Sequence, residues 1–461
     1  MESADAVSIR WKKSRISMSD IIKNGHNEIK NKYYLGRIKR DLTNFFKWMA
    51  LAILTGVVVG GASSVFAVCI RWVTAFRADN KWMFLLLPVA GLIIVFMYQR
   101  LDKNDGGTNQ VLSTIRSKDD VPLKSAPLIF VSTLLTHLTG GSAGREGAAI
   151  QFGGSIGNQL GRIFHLDEFD HHVMVMCGMS AAFAAVFGTP MAAAVFAMEV
   201  VSVGVMYYAA LLPCVIASII AAKFAALLPC VIASIIAAKF AAGIGIHPEV
   251  FHVTVIPELT AVTGAKMAVI AAGCGAVSIL FCIALKFAST LYTKYLKNPY
   301  VRVVVAALIV MGITFILQTD DYMGAGNQLI AKAIETGRAR PLDFVWKIIL
   351  TAITMRAGFR GGEIVPAFCV GATFGCVMGQ LLGFPPVVAA AAGMVALFCG
   401  VTNCPITSML ISFELFGFAG VSYYLIAISI SYALSGYYSL YKDQTIVYSK
   451  YKAKYINRKT R

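Results

Sequence analysis

The chain has 461 residues, of which 57% are apolar and only 14% charged, and its net charge is +17. A soluble domain of that length must wet its surface, so this balance excludes one. The positive charge crowds the two ends, from Arg10 to Lys47 and from Lys450 to Arg461. That placement reads as membrane topology, with both ends in the cytoplasm against anionic lipid, and excludes nucleic acid as a partner.

In chain order, the first 47 residues show no early apolar stretch with a cleavage site, so no secretory signal is expected. Apolar runs follow from about Met49 to Tyr441, among them Trp48–Ala67, Met83–Tyr98, Val301–Ile316 and Val387–Phe398. A straight span needs about 20 apolar residues, and several of these runs are shorter or cut by glycine. They predict tilted, re-entrant or broken helices, tolerated only where the irregular backbone is buried or lines a polar cavity. Such a pattern points to a transporter or channel. Ten cysteines lie mostly inside apolar runs (Cys177, Cys282, Cys369 and Cys399, for example) and form no CxxC pair. They read as small packing residues, and neither a metal nor a cofactor is expected.

Internal repetition organises the chain. Gly106-Gly-Thr-Asn109-Gln110 recurs as Gly324-Ala-Gly-Asn327-Gln328, Thr136-x-x-Thr139 as Thr351-x-x-Thr354, and Gly153-Gly-Ser-Ile-Gly157 as Gly371-Ala-Thr-Phe-Gly375. Pro190 precedes Glu199 by the same spacing as Pro405 precedes Glu414. Four matches in one order, at nearly one offset, imply a duplicated unit. The expected organisation is a basic N-terminal segment (1–45), a first transmembrane half (46–245), a second (246–448) and a basic tail (449–461). Halves of this kind place a substrate site at the midplane where they meet. A second repetition differs in kind: the segment Ala209–Phe224 is repeated identically, and at once, as Ala225–Phe240. An insert of that length in a helix turns the downstream face by roughly 160°. One copy is therefore expected to be the packed helix and the other a bulge, an extension or a poorly placed segment.

Three constellations carry chemistry. Thr136-His-Leu-Thr-Gly-Gly-Ser-Ala-Gly-Arg145-Glu146-Gly147 is a glycine-rich loop opening an apolar helix. Free N–H groups and the helix dipole make such a start an anion site, where a carboxylate can occupy the anion's place and leave it on protonation. Glu146 reads either as a gate and proton carrier or as half of a structural ion pair with Arg145. The cost of ionisable groups inside a membrane favours the gate. Arg356-Ala-Gly-Phe-Arg360-Gly-Gly-Glu363-Ile-Val-Pro366 is the second half's equivalent, so two helix starts are expected to face one midplane site. Glu199 and Glu414, placed symmetrically, are expected to do one structural job twice by accepting from backbone or hydroxyl donors. Gly140-Gly-Ser142-Ala-Gly144 also fits the GxSxG elbow of serine hydrolases, with His171 or His172 as candidate partner. That elbow belongs on an α/β sheet, so an intramembrane hydrolase is the remote alternative.

These residues resemble the CLC family of anion channels and anion/proton antiporters. Gly144-Arg-Glu-Gly147 is similar to its GREGP signature, Gly361-Gly-Glu-Ile-Val-Pro366 to its GGxFxP signature, and Phe187-Gly-Thr-Pro-Met-Ala to its proline-led helix. The similarity runs from about Phe46 to Tyr448. It implies an all-α polytopic protein of two inverted-topology repeats with broken or re-entrant helices, and a homodimer in the plasma membrane with one pathway per subunit. Anions and protons are the implied cargo, and Glu146 the gating glutamate. The implied anion path runs past Gly144, Arg145, Gly147, Gly362, Glu363, Ile364 and Val365, with Gly107, Thr108 and Asn109 in place of the family's GSGIP loop. Tyr441 matches the central tyrosine, and Tyr448 is a second candidate. The internal proton glutamate of chloride antiporters falls on Val200, and Glu363 stands where chloride members carry an apolar residue. Both features resemble the bacterial fluoride/proton antiporter branch. The chain departs from that branch in lacking a methionine near Gly107 and a threonine at Val365. Fluoride is thus the expected anion and chloride the alternative.

Overall fold

The structure is a computed structural model that describes residues 18–103, 105–116, 121–236, 253, 256–452 and 454–460, with side chains from 35 onward except 226–236. The chain divides into two units, Met1–Leu51 and Ala52–Arg461. In the first, helical backbone is described from Met18. The expected boundary between the transmembrane halves at 245/246, the basic residues Arg10 to Arg15 and the terminal Arg461 lie outside the described residues.

Sixteen α-helices occur among the described residues. The first half contributes α1 (Met18–Asp79), α2 (Leu87–Leu101), α3 (Thr108–Thr114), α4 (Ser125–Leu138), α5 (Glu146–Ile163), α6 (Glu168–Phe187), α7 (Pro190–Glu199) and α8 (Leu211–Ile236). The second contributes α9 (Ala261–Tyr295), α10 (Pro299–Leu317), α11 (Asn327–Thr336), α12 (Asp343–Ala357), α13 (Ile364–Leu382), α14 (Pro386–Thr402), α15 (Pro405–Phe416) and α16 (Val421–Leu434). Four of them open on proline (Pro190, Pro299, Pro386 and Pro405), where the missing N–H costs nothing. Among the described residues, seven segments are long and apolar enough to cross a membrane, Leu35–Asp79 and Pro299–Leu317 among them. The shorter apolar helices, such as α7 and α15, are the broken pieces that the glycine-cut runs predict.

The helix starts fix the register of the duplication. Ser125 of α4 and Asp343 of α12 define one offset, and the starts of α5 and α13 (Glu146, Ile364) and of α6 and α14 (Glu168, Pro386) repeat it. The starts of α7 and α15 (Pro190, Pro405) fall three short of it. The difference arises within α14, which is 17 residues long against 20 for α6. The same register puts the threonine match expected above off by three. Thr136 corresponds to Thr354 and Thr133 to Thr351, and a Cβ added at Gly141 would meet the methyls of both Thr136 and Thr354.

Close approach builds the core. α6 and α14 are buried along nearly their whole length, with α5 and α13 packed on them. A Cβ at Gly157 would stand 2.5 Å from the Met174 carbonyl oxygen, and one at Gly371 would meet the Gly393 carbonyl. Between apolar helices in lipid, backbone contact of this kind supplies the dispersion that lipid tails would otherwise supply. The halves are inverted, and their contacts are reciprocal. Glu199, ending α7, accepts from Ile406 N–H (3.1 Å), Thr407 N–H (2.8 Å) and Thr407 Oγ1 (2.6 Å) at the start of α15. Glu414 on α15 accepts from Met191 and Ala192 N–H, both at 2.9 Å, at the start of α7. Each carboxylate satisfies the orphan donors of the other half's helix, the double structural job expected of the pair.

Two details depart from an all-helical reading. β1 (Ser202–Val203) pairs in parallel with β2 (Thr445–Tyr448), and β2 pairs antiparallel with β3 (Tyr455–Lys459), so part of the basic tail is a strand. The identical tandem segments are not equivalent either. In the first, Cys214, Ala217 and Ala221 are buried, and Ala221 Cα stands where a Cβ on Gly60 would come within 2.5 Å. The second continues α8 as an extension to Ile236, and 237–240 lie outside the described residues.

Candidate anion pathway

The two glycine-rich turns meet backbone to backbone. Gly140 and Gly358, at φ +80° and +128°, open the turns that lead into α5 and α13. Gly144 N–H donates to Gly362 O at 2.7 Å, and Gly362 N–H donates to Gly144 O at 2.6 Å, an antiparallel bridge between corresponding residues of the two halves. A Cβ on Gly362 would lie 2.5 Å from Gly147 N, so no larger residue fits there.

Glu146 is the first residue of α5 and is 2% exposed. Its Oε2 accepts from Arg145 N–H at 3.0 Å, and its Oε1 lies 3.4 Å from Arg145 Nε. The carboxylate therefore folds back onto its own helix start, the place where dipole and free N–H groups favour an anion. The ion pair of the sequence reading is present in this geometry.

On one side of the bridge lies a cavity of about 120 Å³. Its lining includes Gly107, Thr108, Asn109, Gly147, Gly362, Glu363, Ile364 and Tyr441. Thr108 Oγ1 donates to Gly147 O at 3.1 Å and ties the Gly106–Asn109 loop to α5. Glu363 Oε1 is 2.7 Å from Arg356 Nη2, so the acid is paired and its charge offset. Arg360 Nη1 sits 2.9 Å from Asp105 Oδ2, with its guanidinium 3.9 Å from the Tyr98 ring centroid. Gln151 Nε2 donates to the other Asp105 oxygen at 2.7 Å. The Nε atoms of Arg356 and Arg360 have no hydrogen-bond partner, nor has Asn109 Oδ1.

Not every expected residue joins this cavity. Val365 is buried in the first turn of α13 outside the lining, Gly144 belongs to the bridge, and Arg145 faces a different cavity. Of the two tyrosine candidates, Tyr441 is buried and lines the cavity. Tyr448 is half exposed on β2 and packs edge-on against Tyr455. His171 and His172 do not partner Ser142, because the His171 ring contacts Asn158 O at 3.0 Å. Ser142 Oγ instead accepts from Lys347 Nζ at 3.0 Å and lies 3.1 Å from Thr351 Oγ1. Lys347 also donates to Tyr322 O and Gly324 O, so its ammonium is a saturated donor and no base for a nucleophile.

Lys347 and Asp105 escaped the sequence reading, which placed Arg356 and Arg360 in the second constellation without giving either a role. Lys347 carried a usable signal, as a lone lysine inside an apolar helical stretch. The pairing of Asp105 with Arg360, from opposite halves of the chain, carried none.

A family model described as voltage gated chloride channel matches residues 90–436. A chloride/fluoride channel protein of Pseudomonas syringae pv. tomato is 35% identical over 88% of both chains. An H(+)/Cl(-) exchange transporter of Vibrio cholerae is 24% identical over 82% of this chain and 83% of its own. The crystal structure of a CLC-type fluoride/proton antiporter matches with a TM-score of 0.80 at 31% identity, covering 87% of this chain and 98% of that one. The structure of a slow cyanobacterial Cl-/H+ antiporter, at 17% identity and a TM-score of 0.69, covers 84% of this chain and 94% of that one and shares the fold. With inverted halves and two glycine-opened helix starts joined at one bridge, the chain belongs to the voltage gated chloride channel (CLC) family and is a multi-pass membrane anion transporter.

Proposed function

We propose that the protein exports fluoride in exchange for protons, as a homodimer in the plasma membrane with both termini cytoplasmic. The observation that carries the fluoride reading is Glu363, a carboxylate lining the 120 Å³ cavity beside the start of α13. Fluoride is small, strongly hydrated and a strong hydrogen-bond acceptor. Stripping its water demands short, directed donors. The α13 start and the Tyr441 hydroxyl offer them. Glu363 donates to fluoride when protonated, and when ionised it pairs with Arg356 so that its charge does not bar the path.

Glu146 alternates with the anion. Ionised, it holds the α5 start; protonated, it loses its attraction for those donors and yields the place to fluoride. With Val200 in place of an internal glutamate, protons follow the anion route through Glu146. The relatives named above, a chloride/fluoride channel protein and a CLC-type fluoride/proton antiporter, support this reading. Chloride is the second reading, favoured by Val365, which offers no hydroxyl at the α13 start.

Efflux from proteoliposomes, followed with fluoride, chloride and pH electrodes, tests the proposal. Fluoride efflux with opposed proton movement and little chloride is expected. Glu146→Gln is expected to abolish proton coupling or to cut flux at least about tenfold. Chloride flux equal to fluoride flux discards the fluoride reading, and intact coupling in Glu146→Gln discards the role of Glu146.

A further inference from the structure

The basic tail, whose charge reads as lipid-facing, supplies β3, an edge strand of the three-stranded sheet. β3 runs antiparallel to β2, with Lys459 opposite Thr445 and Arg458 opposite Ile446. β2 follows Tyr441 by a single turn, in which Gln444 N–H donates to Tyr441 O at 3.1 Å. The other lone pair of that carbonyl is taken by the tail, since Thr460 Oγ1 donates to Tyr441 O at 2.7 Å. Thr460 N–H donates to Gln444 O at 3.1 Å, and Lys459 Nζ stands 2.7 Å from Asp443 Oδ1. The tail thus grips the 441–444 turn at three points.

The same turn is pinned from elsewhere in the chain. Gln444 is fully buried, and its Nε2 donates to Val200 O at 2.9 Å and to Thr402 O at 2.7 Å. Its Oε1 accepts from Asn403 Nδ2 at 3.0 Å. Arg116, just past the end of α3, donates to Asp443 O at 3.3 Å and to Thr445 Oγ1. α3 begins at Thr108, which lines the 120 Å³ cavity, so Arg116 ties that wall to the one that carries Tyr441.

We propose that β3 is a strap that sets Tyr441 in the anion cavity, with Thr460 as a positioning residue for transport. Tyr441 N–H donates to Ser439 Oγ at 3.1 Å, so both backbone groups of the tyrosine are held. The bonds at Tyr441 O fix where the ring leaves the backbone. The phenol hydroxyl lies at the far end of that ring, so a small shift of the base becomes a larger one at the donor, and directed hydrogen bonding to a small anion weakens. Two of the tail's cations serve this frame: Lys459 pairs with Asp443, and the Arg458 guanidinium lies 4.0 Å from the Tyr437 ring centroid. The inference rests on the reading of Tyr441 as an anion donor and extends it to the tail.

Efflux of the full-length protein from proteoliposomes, measured over a range of sodium fluoride and of sodium chloride concentrations, tests it. Thr460→Val keeps the side-chain shape and removes the donor. It is expected to raise the half-saturating anion concentration at least about threefold, with the maximal rate kept within about twofold. Thr460→Ser, which keeps the hydroxyl, is expected to restore the original value. Tyr441→Phe is expected to raise it as well, and Thr460→Val added to Tyr441→Phe to raise it no further, because the strap acts through that hydroxyl. An unchanged value in Thr460→Val beside a raised one in Tyr441→Phe overturns the strap and leaves the reading of Tyr441 standing. No change in either variant overturns both. A fall in maximal rate alone marks a merely structural strand and overturns the proposal, as does an additive effect in the double variant.

Discussion

The starts of α5 and α13 are one backbone device used twice, with different charges set into it. At α5, Arg145 and Glu146 lie side by side, and the carboxylate folds onto its own helix start. At α13, the acid comes one residue earlier, at Glu363, and reaches back to Arg356 on the preceding helix. The register makes Arg145 the counterpart of Glu363, Ser142 that of Arg360, and Lys347 that of Ile129. Duplication thus preserved what the backbone needs, glycine where two chains touch and donors where helices begin. Divergence then placed the ionisable groups unevenly.

Four substitutions would break or sharpen that contrast. The largest effect belongs to the shared backbone. Gly362→Ala forces a Cβ to within 2.5 Å of Gly147 N, where backbone cannot yield as a side chain would. A loss of about 3 kcal/mol is expected, together with loss of transport, read by thermal unfolding in detergent and by liposome efflux. Full flux in that variant would mean that the two starts need not touch. Next come the reciprocal carboxylates. Glu199→Gln should cost about 2 kcal/mol, and Glu414→Gln about 1 kcal/mol, because the first accepts three bonds and the second two. Equal melting shifts would show the pair to be energetically symmetric after all. Smallest is Ser142→Ala, which leaves Lys347 its two carbonyl acceptors. About 1 kcal/mol of stability should go, with flux kept within about twofold. A collapse of flux would make Ser142 part of the path itself.

Glycine and proline made the duplication readable, because both residues encode backbone geometry locally. Gly153 and Gly157 announce close packing, Pro190 and Pro405 announce helix starts, and their recurrence announces two halves. The Thr-x-x-Thr match was less secure, since helical spacing repeats every three or four residues and a shift by three preserves the pattern. Only the starts of α4 and α12 pair Thr136 with Thr354. The identical tandem segments show the same limit from the other side. Identical sequences have identical propensities, so it is tertiary packing that brings Ala217 and Ala221 of the first copy against Gly56 and Gly60.

By itself, the sequence determined the membrane class, the two halves, the two glycine-opened helix starts and the carboxylates Glu146 and Glu363. Each of these is written in composition, in local spacing or in one conspicuous charge among apolar residues. The tertiary structure alone decided that Tyr441 and not Tyr448 meets the cavity, that Arg356 offsets Glu363, and that Lys347 anchors Ser142 and Gly324. It also decided that Arg145 and Glu363, corresponding residues of the two halves, line different cavities. Those facts depend on which distant segments come within a hydrogen bond of each other, and no local pattern of side chains specifies a partner in the other half of the chain.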